Sequence, residues 1–367
     1  MAAPPDRRPS PSGPLKASFA ELAGAIELPA DDGVSPHHAE LEPLPALDLP
    51  ADRPVITTRA LAASIASAST GVTHVTGAAG SAAALLIRAL TRAGKRRIVA
   101  VTADMDSARA LAADASFLLG ALDADDAEAS GAASFGQVLL YLPNEASPYA
   151  DVNPDRRGAQ TRLATLFHLA MGLPWSVLVC PIAALSRKVV PAAQIMGHAE
   201  HVQAEQIIDR ERLTARLAAA GYVRSPLVED PGSFAVRGAL LDVWAPSAEV
   251  PVRIELYDEL VMSIKSFEPE GQRTLRTIPE VWLSPAREAI LTVDNVERAR
   301  DRVRAACDAV DHPSSKARAL VDDVALGRTF FGSEGFLPAY VDLVPLRDYL
   351  PDDAVFVLED PAAITSA

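Results

Sequence analysis

The chain has 367 residues, 49% of them hydrophobic, which is enough for two or three domains with real cores. No run of 18 apolar residues occurs, and the Met-Ala-Ala-Pro-Pro-Asp start is not basic-then-apolar; these features argue against a membrane span and a secretory leader. With 48 acidic against 34 basic residues the net charge is −14, a poor balance for neutralising DNA phosphates, so a protein partner is the better expectation.

Residues 1–52 form a Pro/Ala-rich extension. PPDRRPSPSGP has a disordered composition, and SFAELAGAIEL fits one short amphipathic helix. From Gly71 strand-like and helix-like runs alternate. VTHVTG (72–77) predicts a strand, SAAALLIRALTRAG (81–94) a helix, RRIVAVTA (96–103) a strand and DSARALAADASFLLG (106–120) a helix. The acidic run ALDADDAEASGAAS (121–134) reads as a loop. QVLLYLP (137–143) and SVLVCPI (176–182) read as apolar strands, with the helix DRRGAQTRLATLFHLAMG (155–172) between them. Strands joined by crossover helices predict a parallel sheet covered on both faces.

Residues 198–284 change character. The helix DRERLTARLAAAG (209–221) precedes a cluster of short strands, with a glycine-marked turn inside FAVRGALLDVW and a hairpin signal at Tyr257-Asp258-Glu259. In PVRIELY the side chains alternate: Val252, Ile254 and Leu256 face one way, Arg253, Glu255 and Tyr257 the other. A sheet with one apolar face and one charged, aromatic face suits a partner better than a catalytic cleft. The helical run VERARDRVRAACDAV and the strand AVFVLED follow, and the strand is expected to rejoin the parallel sheet. The expected architecture is therefore α/β: a parallel-sheet domain in two parts, 53–197 and 285–367, with a small α+β domain, 198–284, inserted between them.

The words DPGSFAVRGALLDVWAP, PVRIELYDE and SFEPEGQRTL resemble a module shared by the excision-repair protein UvrB and the transcription-repair coupling factor family. PNEASPYADVNPDRRGAQTRLATLFHL and VLVCPIAALSRKVVP extend the resemblance, which runs from about Gly71 to the last residue. It implies a helicase-like first domain. The loop Thr76-Gly77-Ala78-Ala79-Gly80-Ser81-Ala82-Ala83 stands where a phosphate-binding loop would lie. A working loop needs a lysine and a hydroxyl where this chain has Ala82 and Ala83, so Gly77, Gly80, Ser81, Ala82 and Ala83 read as a degenerate nucleotide loop. That departure favours the N-terminal UvrB-homology module of the coupling factor family over UvrB, which keeps the loop.

The resemblance further implies that Arg237, Arg253 and Tyr257 lie on a surface that binds UvrA. The complete family protein is longer. It also engages RNA polymerase and double-stranded DNA, and uses ATP and Mg. This segment is expected to carry no catalysis and no cofactor, and to be cytoplasmic. An ATP-dependent damage-verification protein of the UvrB type and a DNA-binding module are the alternatives. Of the other motifs, Asp104/Asp106 read as helix caps, Asp125/Asp126 and Glu359-Asp360 as polar loop acids, and Arg156-Arg157 as a structural pair. Cys180 reads as a buried core thiol, and His37-His38 has no third metal ligand nearby in sequence.

Overall fold

The computed structural model describes residues 57–67, 71–78, 80–94, 97–130, 138–144, 156–328 and 332–366, with the backbone alone over 121–130. The 1–52 extension, with its candidate helix and His37-His38, lies outside the described residues, as does Ala79.

The first half supplies three strands of a four-stranded parallel sheet. In chain order come α1 (Thr58–Ser67), α2 (Ala82–Gly94), β1 (Ile98–Thr102), α3 (Met105–Ser130), β2 (Val138–Leu140), α4 (Arg156–Ala170) and β3 (Val177–Pro181). Strand alternation splits the apolar residues between two faces. Ile98, Ala100, Val177 and Val179 meet Leu86, Ile87 and Leu90 of α2 and Leu111 and Ala115 of α3. Val99, Val101, Leu178 and Cys180 meet Leu163, Leu166 and Phe167 of α4 on the other side. Cys180 is thus a buried core thiol, and burial pushes it up to about 12.

The chain then passes through α5 (Ile182–Leu185), β4 (Lys188–Val189) and α6 (Ala192–Gly197) to β5 (Glu200–Gln203) and α7 (Arg210–Ala219). The Asp209 side chain caps α7 by accepting from the Arg212 N–H at 3.0 Å. A second, six-stranded sheet follows: β6 (Val223–Arg224), β7 (Ser233–Arg237), β8 (Leu240–Trp244), β9 (Val252–Tyr257), β10 (Leu260–Phe267) and β11 (Thr274–Ile278). These strands lie in sequence order and are antiparallel, except that β6 and β7 are parallel. β12 (Glu280–Leu283) pairs antiparallel with β5, so the chain leaves the second sheet beside the point where it entered. The His201 ring on β5 stacks on Trp282 of β12 at 4.3 Å.

The rest is α8 (Val296–Ala309), α9 (Ser314–Ala325), α10 (Leu337–Tyr340), β13 (Val344–Pro345), β14 (Val355–Leu358) and α11 (Pro361–Ser366). β14 pairs parallel with β1, so the first sheet has the order β14-β1-β3-β2. Ala299, Val303 and Cys307 of α8 and Val321 and Val324 of α9 join the α4 side of its core. The molecule is therefore an α/β fold with a parallel sheet and separate antiparallel sheets. No helix among the described residues is long and apolar enough to cross a membrane.

Two local expectations are corrected. VTHVTG forms no strand: Val72 is 85% exposed, so the segment has neither of the two covered faces a parallel strand needs. The run 121–130, expected as a loop, continues α3 to Ser130, and Asp125/Asp126 lie on a helix. Alanine, leucine and glutamate are good helix formers, and here they outweigh the acidic aspartates. Residues 131–134 of that expected loop lie outside the described residues.

The inner face of the second sheet holds a core of its own. Leu213 and Leu217 of α7 pack with Leu241, Val243, Val252, Ile254, Leu256, Val261 and Ile264. Leu256 is 5% exposed, so Leu256→Ala is expected to destabilise the chain by about 2–5 kcal/mol through lost transfer energy and the cavity left behind. Urea unfolding followed by circular dichroism measures this, and a change below about 0.5 kcal/mol would mean that the strand faces the other way.

Candidate partner-binding site

The outer face of the second sheet carries the charged groups, and the strand register sets them in rows. In β9 burial alternates as the sequence predicts: Val252, Ile254 and Leu256 are buried, while Arg253, Glu255 and Tyr257 face outward. Across the sheet, Ala235, Asp242, Arg253 and Lys265 stand opposite one another in turn. The next row is Arg237, Leu240, Glu255 and Ser263. Tyr257 stands one row further, opposite Leu260, at the β9–β10 hairpin. Asp258 takes a left-handed φ of 57° in that turn, a conformation aspartate tolerates better than most residues.

Asp242 organises the face. Its side chain is 0% exposed and accepts from both arginines. Arg253 binds it in a fork, Nε to Oδ1 at 2.7 Å and Nη2 to Oδ2 at 2.9 Å, and Arg237 Nη2 donates to the same Oδ2. The Arg253 guanidinium lies over the Phe267 ring at 4.7 Å and also donates to Gln272 Oε1 at 3.2 Å. Gln272 is held in turn by its own donation to the Pro269 carbonyl at 2.8 Å. Hydrogen bonding to Asp242 holds the Arg253 guanidinium more firmly protonated than usual. Two guanidiniums carry ten N–H donors, far more than one carboxylate can accept. Surplus donors are thus held in a fixed plane, which suits bidentate contact with carboxylates of another molecule.

Three features of these residues are visible only in the structure. Arg237 is not on the strand next to Arg253, because β8 lies between β7 and β9 and Asp242 bridges them from it. Glu255 is not the local acid of the arginines. It accepts from Lys265 at 2.8 Å and from Ser263 at 2.6 Å, and those bonds hold its carboxyl below the usual carboxylate range. Arg253 is not freely exposed: its side chain is only 16% accessible, against 41% for Arg237. Tyr257 is open at 76%. Sequence reasoning missed Asp242, although an acid at the polar-face position of LLDVW is the signal that points to it.

The other motifs have structural surroundings. Arg156 Nη2 donates to the Gly232 carbonyl at 3.3 Å, Arg157 meets Asp230 at 3.4 Å, and Gln160 donates to the Pro231 carbonyl at 3.1 Å. These bonds tie α4 to the loop before β7. Gly77 and Gly80 take left-handed φ values of 80° and 57°, Ser81 accepts the Leu85 N–H at 3.0 Å, and Ala83 packs into the core beneath α2. Asp104 accepts the Ser107 N–H at 2.8 Å as a helix cap, and that bond holds its carboxyl low. Glu359, at the end of β14, is pushed up by burial and by Asp104, Asp360 and Asp114. Among the described residues no group of three or more His, Cys, Asp or Glu side chains is arranged to hold a metal ion.

Residues 201–288 match the family described as UvrB interaction domain, and they include α7, the whole second sheet and β12. The chain is 39% identical over 291 residues to the transcription-repair-coupling factor of Myxococcus xanthus, covering 78% of this chain and 24% of that protein. It is 30% identical over 240 residues to the one of Bacillus subtilis, covering 62% of this chain and 20% of that protein. For Escherichia coli the figures are 29% over 224 residues, 60% and 19%. The chain thus spans about a fifth to a quarter of the length of these relatives. With a UvrB interaction domain at residues 201–288 and a likeness that covers 78% of its length, the chain belongs to the transcription-repair coupling factor family through its UvrB-homology module.

Proposed function

We propose that this chain recruits UvrA in transcription-coupled DNA repair, presenting Arg237, Arg253 and Tyr257 as a UvrB-like docking face. The observation that carries the reading is the Arg237–Asp242–Arg253 cluster. It sits on the outer face of a domain matched as a UvrB interaction domain. Arginines and aromatics are the usual anchors of protein interfaces, and a guanidinium pre-set by a buried carboxylate loses little entropy on binding. The module acts as an insert, residues 198–284, within an α/β scaffold of 53–197 and 285–367, and works in the cytoplasm. RNA polymerase, double-stranded DNA, ATP and Mg belong, in this reading, to the rest of the longer family protein.

Titration calorimetry of UvrA into the chain tests the proposal. Tyr257→Ala and Arg237→Ala are each expected to weaken binding by about tenfold or more. Absence of binding by the unaltered chain would end the reading.

The same proposal assigns no catalysis to this segment. Ala82 and Ala83 offer neither charge nor a hydroxyl to a phosphate, and Ala83 is packed into the core. ATP turnover by the purified chain, with or without DNA, is expected to equal the buffer blank. A DNA-stimulated rate that copurifies with the chain and disappears on mutating Gly80 would show the opposite.

A further inference from the structure

The row beyond the charged groups is apolar and crosses two strands and the segment that leads into α7. Tyr257 stands opposite Leu260 in the β9–β10 ladder. Leu260 in turn stands opposite Ile207, in a bridge formed by the segment that leads into α7. The bridge is flanked by Val261 N–H to Gln206 O at 2.9 Å and Ile208 N–H to Glu259 O at 2.7 Å, so its register is fixed. Residues opposite one another in a ladder share a face, with side chains about 5 Å apart. Tyr257, Leu260 and Ile207 therefore form one outward row roughly 10 Å long, while the next residue of β10, Val261, turns to the core and is 0% exposed. Tyr257 is 76% and Ile207 72% exposed, and Met262, at the bulge two residues after Leu260, is 57% exposed. Single exposed apolar side chains need no explanation, but a contiguous row beside anchored guanidiniums does.

We infer that Ile207 and Leu260 extend the docking face and, with Tyr257, grip an apolar strip on UvrA next to the acidic groups met by Arg237 and Arg253. The inference rests on the proposed function and adds to it a specificity element. The row is continuous with the charged rows of the same face, so one partner surface covers both. That partner must be acidic at one end and apolar at the other. Charge steers the encounter, whereas desolvation of the apolar row sets how long the complex lasts. A second copy of this chain fits poorly. A two-fold contact centred on the row would set the exposed Asp258 and Glu259 of the hairpin turn against their own copies.

The test titrates UvrA into the full chain carrying Ile207→Ser, Ile207→Leu, Tyr257→Ala, Arg237→Ala or Leu275→Ser, each checked by thermal unfolding. Leu275 is 58% exposed on β11, away from the row, and serves as the control. Ile207→Ser is expected to raise Kd about tenfold, Ile207→Leu to restore it, and Leu275→Ser to leave it unchanged. The loss in Ile207→Ser should persist at high salt, whereas the loss in Arg237→Ala should shrink there. An unchanged Kd for Ile207→Ser beside weakened Tyr257→Ala and Arg237→Ala would overturn the inference and leave the docking face standing. An unchanged Kd in all of them would remove both. Equal losses in Leu275→Ser and Ile207→Ser would overturn it too, as would a dimer of the unaltered chain that Ile207→Ser dissociates without changing Kd.

Discussion

Glu288→Ala is expected to lower the stability of the chain by about 3–5 kcal/mol, because it strands a buried guanidinium. Arg162 on α4 has a side chain only 5% exposed, and Glu288, just after β12, only 3%. Arg162 Nε donates to Glu288 Oε1 at 3.1 Å, Nη2 donates to Oε2, and Nη1 donates to the Pro143 carbonyl at 3.2 Å. The surroundings are dry enough that burial pushes the nearby Tyr141 hydroxyl well above its usual range. A charge left alone there would be buried without its counter-charge. Replacing both partners, Arg162→Met with Glu288→Leu, should recover most of the loss, since a buried pair contributes little net stability over apolar groups of similar volume. Urea unfolding of the two single variants and the double variant measures this. The pair joins the α/β scaffold to the segment that leaves the second sheet, and its hydrogen bonds run to Pro143 rather than to the docking-face residues. The folded fraction of Glu288→Ala should therefore bind UvrA with unchanged affinity.

Arg253→Glu should both destabilise the fold and abolish UvrA binding. The alternation of PVRIELY alone suggests a substitution on an exposed face that the fold would survive. The structure predicts otherwise. The new carboxylate would face Asp242, which is 0% exposed and would keep only Arg237 as a cationic partner. Loss of the fork, of the Phe267 contact and of the Gln272 bond adds to this repulsion. A cost of about 3 kcal/mol or more is expected. Tyr257→Ala, at a site 76% exposed, should change stability by less than about 0.5 kcal/mol while still weakening UvrA. Thermal unfolding beside calorimetry separates the two effects. An unchanged melting temperature for Arg253→Glu would show that Asp242 does not depend on Arg253. Unchanged affinity in both Arg253→Glu and Arg237→Glu would place the partner elsewhere on the molecule.

Several features were legible in the residues because they follow from local periodicity. Alternation in PVRIELY is a property of six or seven consecutive residues, and it placed Arg253, Glu255 and Tyr257 together on the outer face. The crossover pattern and the continuous apolar runs IVAVT and VLVCP specified a parallel sheet covered on both sides. Where local signals competed, the reading failed. VTHVTG has strand propensity but acquires no covered faces, and the acidic 121–130 run is rich enough in alanine to stay helical.

The partners of the site were decided by tertiary structure, because pairing across a sheet depends on register rather than on nearness in sequence. Asp242 lies eleven residues before Arg253, and only the β8–β9 register sets them opposite each other with Arg237 converging from β7. Ile207 is fifty residues before Tyr257 and precedes a helix, and only its bridge to Leu260 brings it into the apolar row. Arg162 and Glu288 lie 126 residues apart and meet because β5 and β12 run side by side at the junction. By itself the sequence determined which residues turn outward and which family the chain resembles. The tertiary structure decided which of the outward residues are tied to a buried carboxylate and which stand open to a partner, since that depends on strands the chain brings together only by folding.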